Sequence, residues 1–310
     1  DYYNSIEPDR AFGTSNKSTL LNHTRAAYAM IENIDWNIGK IIKSLVRLKK
    51  HKDTVIVFLG DNGPNGNRWN DSLKGRKGST DEGGVRSPLI FSYPKINELL
   101  NEEVNSLSSS IDILPTLLEI ANIEYDNSID GISLMPLLVN KTYNDERIIY
   151  NHWRGNVSLR FRKYRLDKDN NLFNLVTDQS QIFPLENDPI KEYLIEKKKV
   201  WVDEVLNPSF LNKKRPFTIS GEFNINNVLP ARDSYFSGGI KRSNRYPNDS
   251  FLTNWREIDS IFWPIQVMND GLYNLRIFIN SDKESINSDI IVSSNNSNAK
   301  GKVEKVFISK

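Results

Sequence analysis

Residues 57–88, VFLGDNGPNGNRWNDSLKGRKGSTDEGGVRSP, run from an apolar strand into a turn of oxygen donors and then into a loop of cations. The strand starts at Thr54, and Thr54-Val-Ile-Val-Phe-Leu59 is a β-branched, apolar run too short for a helix, which predicts a buried strand. At its carboxyl end Gly60-Asp61-Asn62-Gly63-Pro64 is turn chemistry. Open α/β sheets hold their ligands outside the carboxyl ends of the strands, where an Asp61-Asn62 pair offers hard oxygen ligands to Ca2+ or Mg2+. Lys74, Arg76 and Lys77 follow among Gly75, Gly78, Gly83 and Gly84. Glycines let the backbone approach closely and a lysine supplies a point charge, a combination that suits a tetrahedral anion. Taken singly, each piece is ordinary, since Asp-Asn-Gly is a common turn and loop cations such as Lys74 are usually solvated. Joined in this order behind a strand, they predict a metal-and-anion site.

Working outward, Arg25 to Lys50 reads as a helix, with Ala27, Met30, Ile31, Ile34, Ile38, Ile41, Ile42, Leu45 and Leu48 spaced three or four apart and a basic last turn. Residues 1–20 are polar and turn-rich, the pattern of a surface segment. A second strand is predicted at Ser87 to Tyr93, and a helix at Asp112 to Ala121, where Pro115 fits only the first turn. From Arg147 the pattern changes to short strands: Arg147 to Trp153, Val157 to Arg162, Tyr164 to Leu166 and Asn171 to Leu175, with a turn at Asn170-Asn171, then a helix from Lys191 to Leu206.

The chain resembles the type I sulfatases, the arylsulfatase branch of the alkaline phosphatase superfamily. The resemblance is carried by Tyr28-Ala-Met-Ile-Glu-Asn-Ile-Asp35 with Asn37-Ile-Gly39, by Asp61-Asn62-Gly63-Pro64, and by Gly75-Arg-Lys-Gly-Ser-Thr-Asp-Glu-Gly-Gly-Val-Arg-Ser-Pro88. It continues through Asp112-Ile-Leu-Pro-Thr-Leu117, Asp130-Gly-Ile-Ser-Leu134 and Asn171-Leu-Phe-Asn-Leu175. The resemblance implies that Asp61 and Asn62 are metal ligands, usually of Ca2+ with Mg2+ as the other choice, and that Lys77 is the catalytic lysine on the sulfate. Glu82-Gly83-Gly84 and Arg86 then hold the shape of the loop. Arg68, Trp69 and His152, the last with its neighbour Trp153, are candidate substrate contacts, although a histidine in a short strand is more often structural. Sulfatases attack with a formylglycine made from the first residue of a Cys/Ser-x-Pro-x-Arg motif. This chain has no cysteine, and Ile6 stands two residues before the only Pro-x-Arg, Pro8-Asp9-Arg10. The resemblance therefore implies the carboxyl-terminal portion of a periplasmic or secreted sulfuric ester hydrolase, with its formylglycine upstream and no activity in this portion alone.

The implied organisation has three parts. Residues 1–140 are the carboxyl-terminal part of an alkaline-phosphatase-like α/β domain, 141–212 a small antiparallel subdomain with a helix, and 213–310 an all-β, sandwich-like module. The module's strands are predicted at Phe217 to Ser220, Ile261 to Val267, Gly271 to Ile279, Ser288 to Val292 and Val303 to Ile308. Its cations and aromatics between Ser237 and Trp255 suit a sulfated glycan, and equally suit a structural module. A formal charge of +2 from 41 basic and 39 acidic residues argues against a nucleic-acid partner, and no apolar run is long enough to span a membrane. The expected partner is a sulfated small molecule or glycan. Two other functions fit: a phosphodiesterase or phosphonate hydrolase with a different nucleophile, or a non-catalytic glycan-binding or structural piece.

Overall fold

The apolar spacing that begins at Ala27 sits in one long helix, α1 (Lys17–Arg47), which starts earlier than the spacing predicts because Lys17 to Asn22 contains no glycine or proline to stop it. The computed structural model describes residues 17–303 except 67, 96–102, 127, 141–145, 208–214, 221–225, 245–249, 281–282 and 295–297, so most of the predicted polar lead-in lies outside the described residues. The chain divides into two compact units, residues 1–211 and 212–310.

In the first unit β1 (Ile56–Leu59) pairs antiparallel with β2 (Leu89–Ser92), Phe58 opposite Ile90. The predicted burial of β1 is not met, since Phe58 and Leu59 are 37% and 39% exposed. The physical reason is that β1 has one ladder partner among the described residues, so neither the sheet edge nor its faces are closed. The stripe on α1 is open in the same way, with Met30, Ile31, Trp36 and Ile41 more than half exposed.

After the short helix α2 (Glu82–Val85), helix α3 (Ile113–Ile120) carries Pro115 in its first turn, where a missing N–H costs nothing, and α4 (Met135–Asn140) follows. The carboxylate of Asp112, fully buried, accepts N–H donors from Ser109 at 2.7 Å and Ile132 at 3.0 Å and a forked pair from the Arg147 guanidinium. Thr116 Oγ1 donates to the Asp112 carbonyl at 2.6 Å and accepts the Leu134 N–H at 2.9 Å. The segments around Asp112 and Asp130 are thus tied to each other by buried, charge-assisted bonds.

Strands β3 (Ile148–Trp153), β4 (Asn156–Phe161), β5 (Tyr164–Leu166) and β6 (Leu172–Asn174) form an antiparallel sheet in that order, backed by helix α5 (Ile190–Val205). Alternation sorts its side chains. Leu159, Phe161, Leu166 and Leu172 make one buried cluster with Leu194 of α5, each full burial contributing about 1.5–3 kcal/mol. On the same side Tyr150 stacks on Trp201, with ring centroids 5.0 Å apart and an 8° interplanar angle. The opposite side carries Asn151, Ser158, Arg160, Arg165 and Phe173, and it meets the cation loop.

The second unit meets its prediction in part, with the expected strands found at Phe217–Ile219 and Asp289–Ser293. Its described residues form four two-stranded ladders: β7 (Phe217–Ile219) parallel to β12 (Ile265–Val267), and antiparallel pairs of β8 (Tyr235–Phe236) with β11 (Ile261–Phe262), β9 (Lys241–Arg242) with β10 (Leu252–Thr253), and β13 (Asp289–Ser293) with β14 (Asn298–Lys302). The run Ile261 to Val267 is interrupted at Trp263-Pro264, because proline has no N–H to give a ladder. Gly271 to Ile279 forms no strand despite its alternation, and Leu272 and Phe278 stand fully exposed. Val303 is buried but lies outside a strand, and residues 304–308 are outside the described residues. Asp259 braces this unit by accepting the Gly239 and Arg256 N–H groups, each at 3.0 Å.

Candidate metal and anion site

The Asp61-Asn62 turn is fastened by backbone on both sides. The Gly60 N–H donates to the Pro88 carbonyl at 3.1 Å, while the Gly60 carbonyl accepts from Ser87 Oγ at 2.7 Å. Past the pair, the Gly63 N–H donates to the Gly84 carbonyl at 2.9 Å, and the Lys77 N–H donates to the Pro64 carbonyl at 3.0 Å. These bonds bring together the oxygen-donor turn and the cation loop, two of the sequence-predicted pieces. The approach is so close that a Cβ on Gly63 would stand 1.9 Å from the Gly83 carbonyl oxygen, so only glycine fits there.

Asp61 is exposed and Asn62 half-buried, and among the described residues neither side chain has a hydrogen bond or ion pair. Both oxygens are therefore available to a hard cation. Two donors are fewer than the roughly six to eight oxygens Ca2+ takes, and among the described residues no cluster of three or more acidic or histidine side chains completes a shell. Lys77 is exposed, its ammonium without a partner among the described residues.

Lys74 differs from its expectation. It is not simply solvated: its ammonium lies 3.9 Å from Asp81, 3.8 Å from Asp167 and 5.1 Å from the Phe173 ring centroid. Lys74 is therefore part of the loop's fastening, and Lys77 is a charge without a partner among the described residues.

The rest of the fastening comes from the far side of the four-stranded sheet. Arg165, 1% exposed, donates to Glu82 at 2.9 Å, to Asn151 Oδ1 at 3.0 Å, to Ser158 Oγ at 3.1 Å and to the Thr80 carbonyl. Ser158 Oγ also donates to that carbonyl, at 2.6 Å. Arg160 is the register partner of Arg165, so two guanidinium groups stand opposite each other, and Glu82 lies 3.9 Å from Arg160 Nε. Burial pulls both guanidinium pKa values below the ordinary arginine value, and the Glu82 carboxylate opposes that shift. A neighbouring turn adds three grips: Gln179 donates to the Asp71 carbonyl at 2.9 Å, Ser180 donates to the Ser72 carbonyl at 2.8 Å, and Gln181 accepts the Glu82 N–H at 3.0 Å. Glu82 thus holds the loop's shape by a buried ion pair. The sequence carries no local signal for this, because Arg160, Arg162 and Arg165 look alike in it and only the pairing separates half-buried Arg160 and buried Arg165 from exposed Arg162.

The candidate substrate contacts scatter. Arg68 is half-buried and Trp69 is 50% exposed in the segment between the two motifs. His152 has the strand parity of Tyr150, and its Nε2 accepts the Gly155 N–H at 2.9 Å, which closes the β3–β4 turn. Its neighbour Trp153 has the opposite parity, and its Nε1 lies 3.6 Å from where a Cβ on Gly78 would stand. Among the described residues no helix is long and apolar enough to cross a membrane.

Two family models match the chain. Residues 1–123 match the Sulfatase family model, and residues 77–207 match the model for the carboxyl-terminal part of N-sulphoglucosamine sulphohydrolase. Arylsulfatase H of Homo sapiens is 34% identical over 137 residues, 40% of this chain and 24% of that protein. The arylsulfatase of Clostridium perfringens is 31% identical over 184 residues, 57% of this chain and 36% of that protein. The chain thus spans about a quarter to a third of the length of these relatives. The crystal structure of yidJ from Bacteroides fragilis, described as a sulfatase, superposes with a TM-score of 0.51 at 19% identity over 68% of this chain and 49% of that one, a likeness of fold.

Proposed function

We propose that this chain of the type I sulfatase family is the carboxyl-terminal portion of a sulfuric ester hydrolase, supplying two metal ligands and the anion-binding lysine to an active site completed by a preceding segment. The observation that carries the proposal is the fastening of the Asp61-Asn62 turn to the Lys77 loop through Gly63–Gly84 and Lys77–Pro64, which leaves the Asp61 and Asn62 side chains and the Lys77 ammonium without partners among the described residues, on adjoining backbone. A divalent cation, Ca2+ or Mg2+, would supply Lewis-acid polarisation of a sulfate oxygen when bound. Asp61 and Asn62 would hold it, the carboxylate contributing the charge. Lys77 would neutralise negative charge on the sulfuryl group as the ester S–O bond breaks, a role suited to a preorganised point charge. Arg68 and Trp69 would face the leaving alcohol, and His152 would act through the turn it closes.

In this reading the formylglycine nucleophile, whose Cys/Ser-x-Pro-x-Arg motif is not in this chain, would come from a preceding segment. Exposed apolar surface on α1, β1 and β2 supports the same reading, since patches of that kind mark surfaces that something covers. In this reading residues 1–140 belong to the catalytic α/β domain and 141–212 form the subdomain that grips its loop. Residues 213–310 are an accessory module, and the enzyme is periplasmic or secreted.

Metal binding by the intact enzyme tests the site. Asp61→Ala should lower Ca2+ affinity by at least about tenfold and abolish turnover of an aryl sulfate, because a charged ligand is lost. Full activity with unchanged metal content would refute the assignment.

A further inference from the structure

We propose that the tip of the β3–β4 hairpin, Trp153 with Arg154, is a subsite for the sugar ring of a sulfated carbohydrate; this rests on the reading of Asp61, Asn62 and Lys77 as a sulfate-ester site. Trp153 shares its sheet face with Asn151, Ser158, Arg160 and Arg165, whose polar groups clasp the segment around Thr80 and Glu82. Two residues beyond Asn151, the indole reaches the cation loop at Gly78, its Nε1 3.6 Å from the position a Cβ would take. Gly78 directly follows Lys77, and its φ of +87° favours glycine, so no side chain separates the indole from the backbone beside the free ammonium.

The tip is rigid. Arg154 and Gly155, with φ of 49° and 84°, form the two-residue turn of mirror-image type that suits a hairpin, and the Gly155 N–H bonded to His152 closes it. Trp153 is 49% exposed, and its indole N–H has no acceptor among the described residues. The Arg154 guanidinium lies over the ring, 5.4 Å from its centroid. The half-exposed aromatic ring offers the face away from Arg154 to the C–H face of a pyranose, while an N–H without an acceptor among the described residues and a guanidinium offer donors to hydroxyl oxygens or a further sulfate. A plain aryl ring could use the face but neither donor, so the chemistry favours the sugar.

The test uses the intact enzyme with a panel of sulfated monosaccharides, 4-nitrophenyl sulfate, and inorganic sulfate as competing inhibitor. Trp153→Ala should raise KM for the accepted sugar sulfate by roughly tenfold, the scale of losing one aromatic contact, with kcat and the inhibition constant of inorganic sulfate changed by less than about twofold. Trp153→Phe should keep KM within about threefold of wild type, and Arg154→Ala should raise KM for the sugar sulfate but not for 4-nitrophenyl sulfate. If KM is unmoved in Trp153→Ala, or if the sulfate inhibition constant rises with it, the tip is a surface aromatic or a brace for the loop and the subsite is overturned. Wild-type turnover of the aryl sulfate with none of the sugars overturns the sugar class alone. Turnover of neither overturns the sulfatase reading beneath it.

Discussion

Lys74 and Lys77 lie in the same glycine-rich loop, yet the fold gives them different surroundings. Lys74 is spent on Asp81, Asp167 and the Phe173 ring, while Lys77 keeps its ammonium unpaired among the described residues. In the intact enzyme Lys77→Ala should therefore lower kcat by about two to three orders of magnitude, the effect of removing one preorganised stabilising group, with the melting temperature nearly unchanged. Lys74→Ala should do the reverse, costing about 1 kcal/mol or less of stability with kcat within a few-fold, because its ion pairs are partly exposed. Equal effects on kcat from the two substitutions would show that the loop is scaffold and that Lys77 has no distinct part in binding sulfate. Both lysines were legible in the sequence as cations of an anion loop. Their division of labour was not, since it depends on Asp167 and Phe173, far along the chain.

Among elements, the decisive contact is between the sheet and the loop rather than within either. Glu82 sits against two arginines that are directly opposed in the β4–β5 ladder, an arrangement that like charges would otherwise disfavour. Arg165→Met should cost about 3–5 kcal/mol, because it strands a buried carboxylate, whereas the double substitution Glu82→Met with Arg165→Met should recover a substantial part of that loss. Urea denaturation of the single and double variants measures the difference. A double variant no more stable than the single would mean that the arginine contributes packing and not charge compensation. The strand alternation that defines this sheet was readable from Arg147 onward, as was helix α5. Which arginines turn inward was not, because a period of two defines two faces without saying what covers each.

For the whole molecule, the first unit holds the described site residues and the buried leucine cluster, and the second contains neither. The chain by itself should hydrolyse no sulfate ester even after exposure to a formylglycine-generating enzyme, since it offers no residue in the required motif. Turnover of 4-nitrophenyl sulfate by the chain alone would show that the active site has been misplaced. Because its cluster is complete within residues 1–211, that portion should also melt within about 3 °C of the chain as a whole, a shift of roughly 1 kcal/mol for a unit of this size. A larger drop, read by differential scanning calorimetry, would mean that the second unit stabilises the first.

By itself the sequence determined the order strand, oxygen-donor turn, cation loop, the long helix before it, and the helix-backed antiparallel sheet after it. These follow from local signals: apolar periodicity, β-branched runs, and glycine or asparagine at the turns. It also marked Asp61 and Asn62 as oxygen donors and Lys77 as a loop cation. Tertiary structure alone decided that, among the described residues, β1 and α1 leave apolar faces open and Gly271 to Ile279 has no ladder partner, and that Trp153 rather than His152 meets the loop. The physical reason is that burial and pairing are settled by partners. The bond from Ser158 to Thr80 joins residues 78 positions apart and leaves no trace in either local sequence.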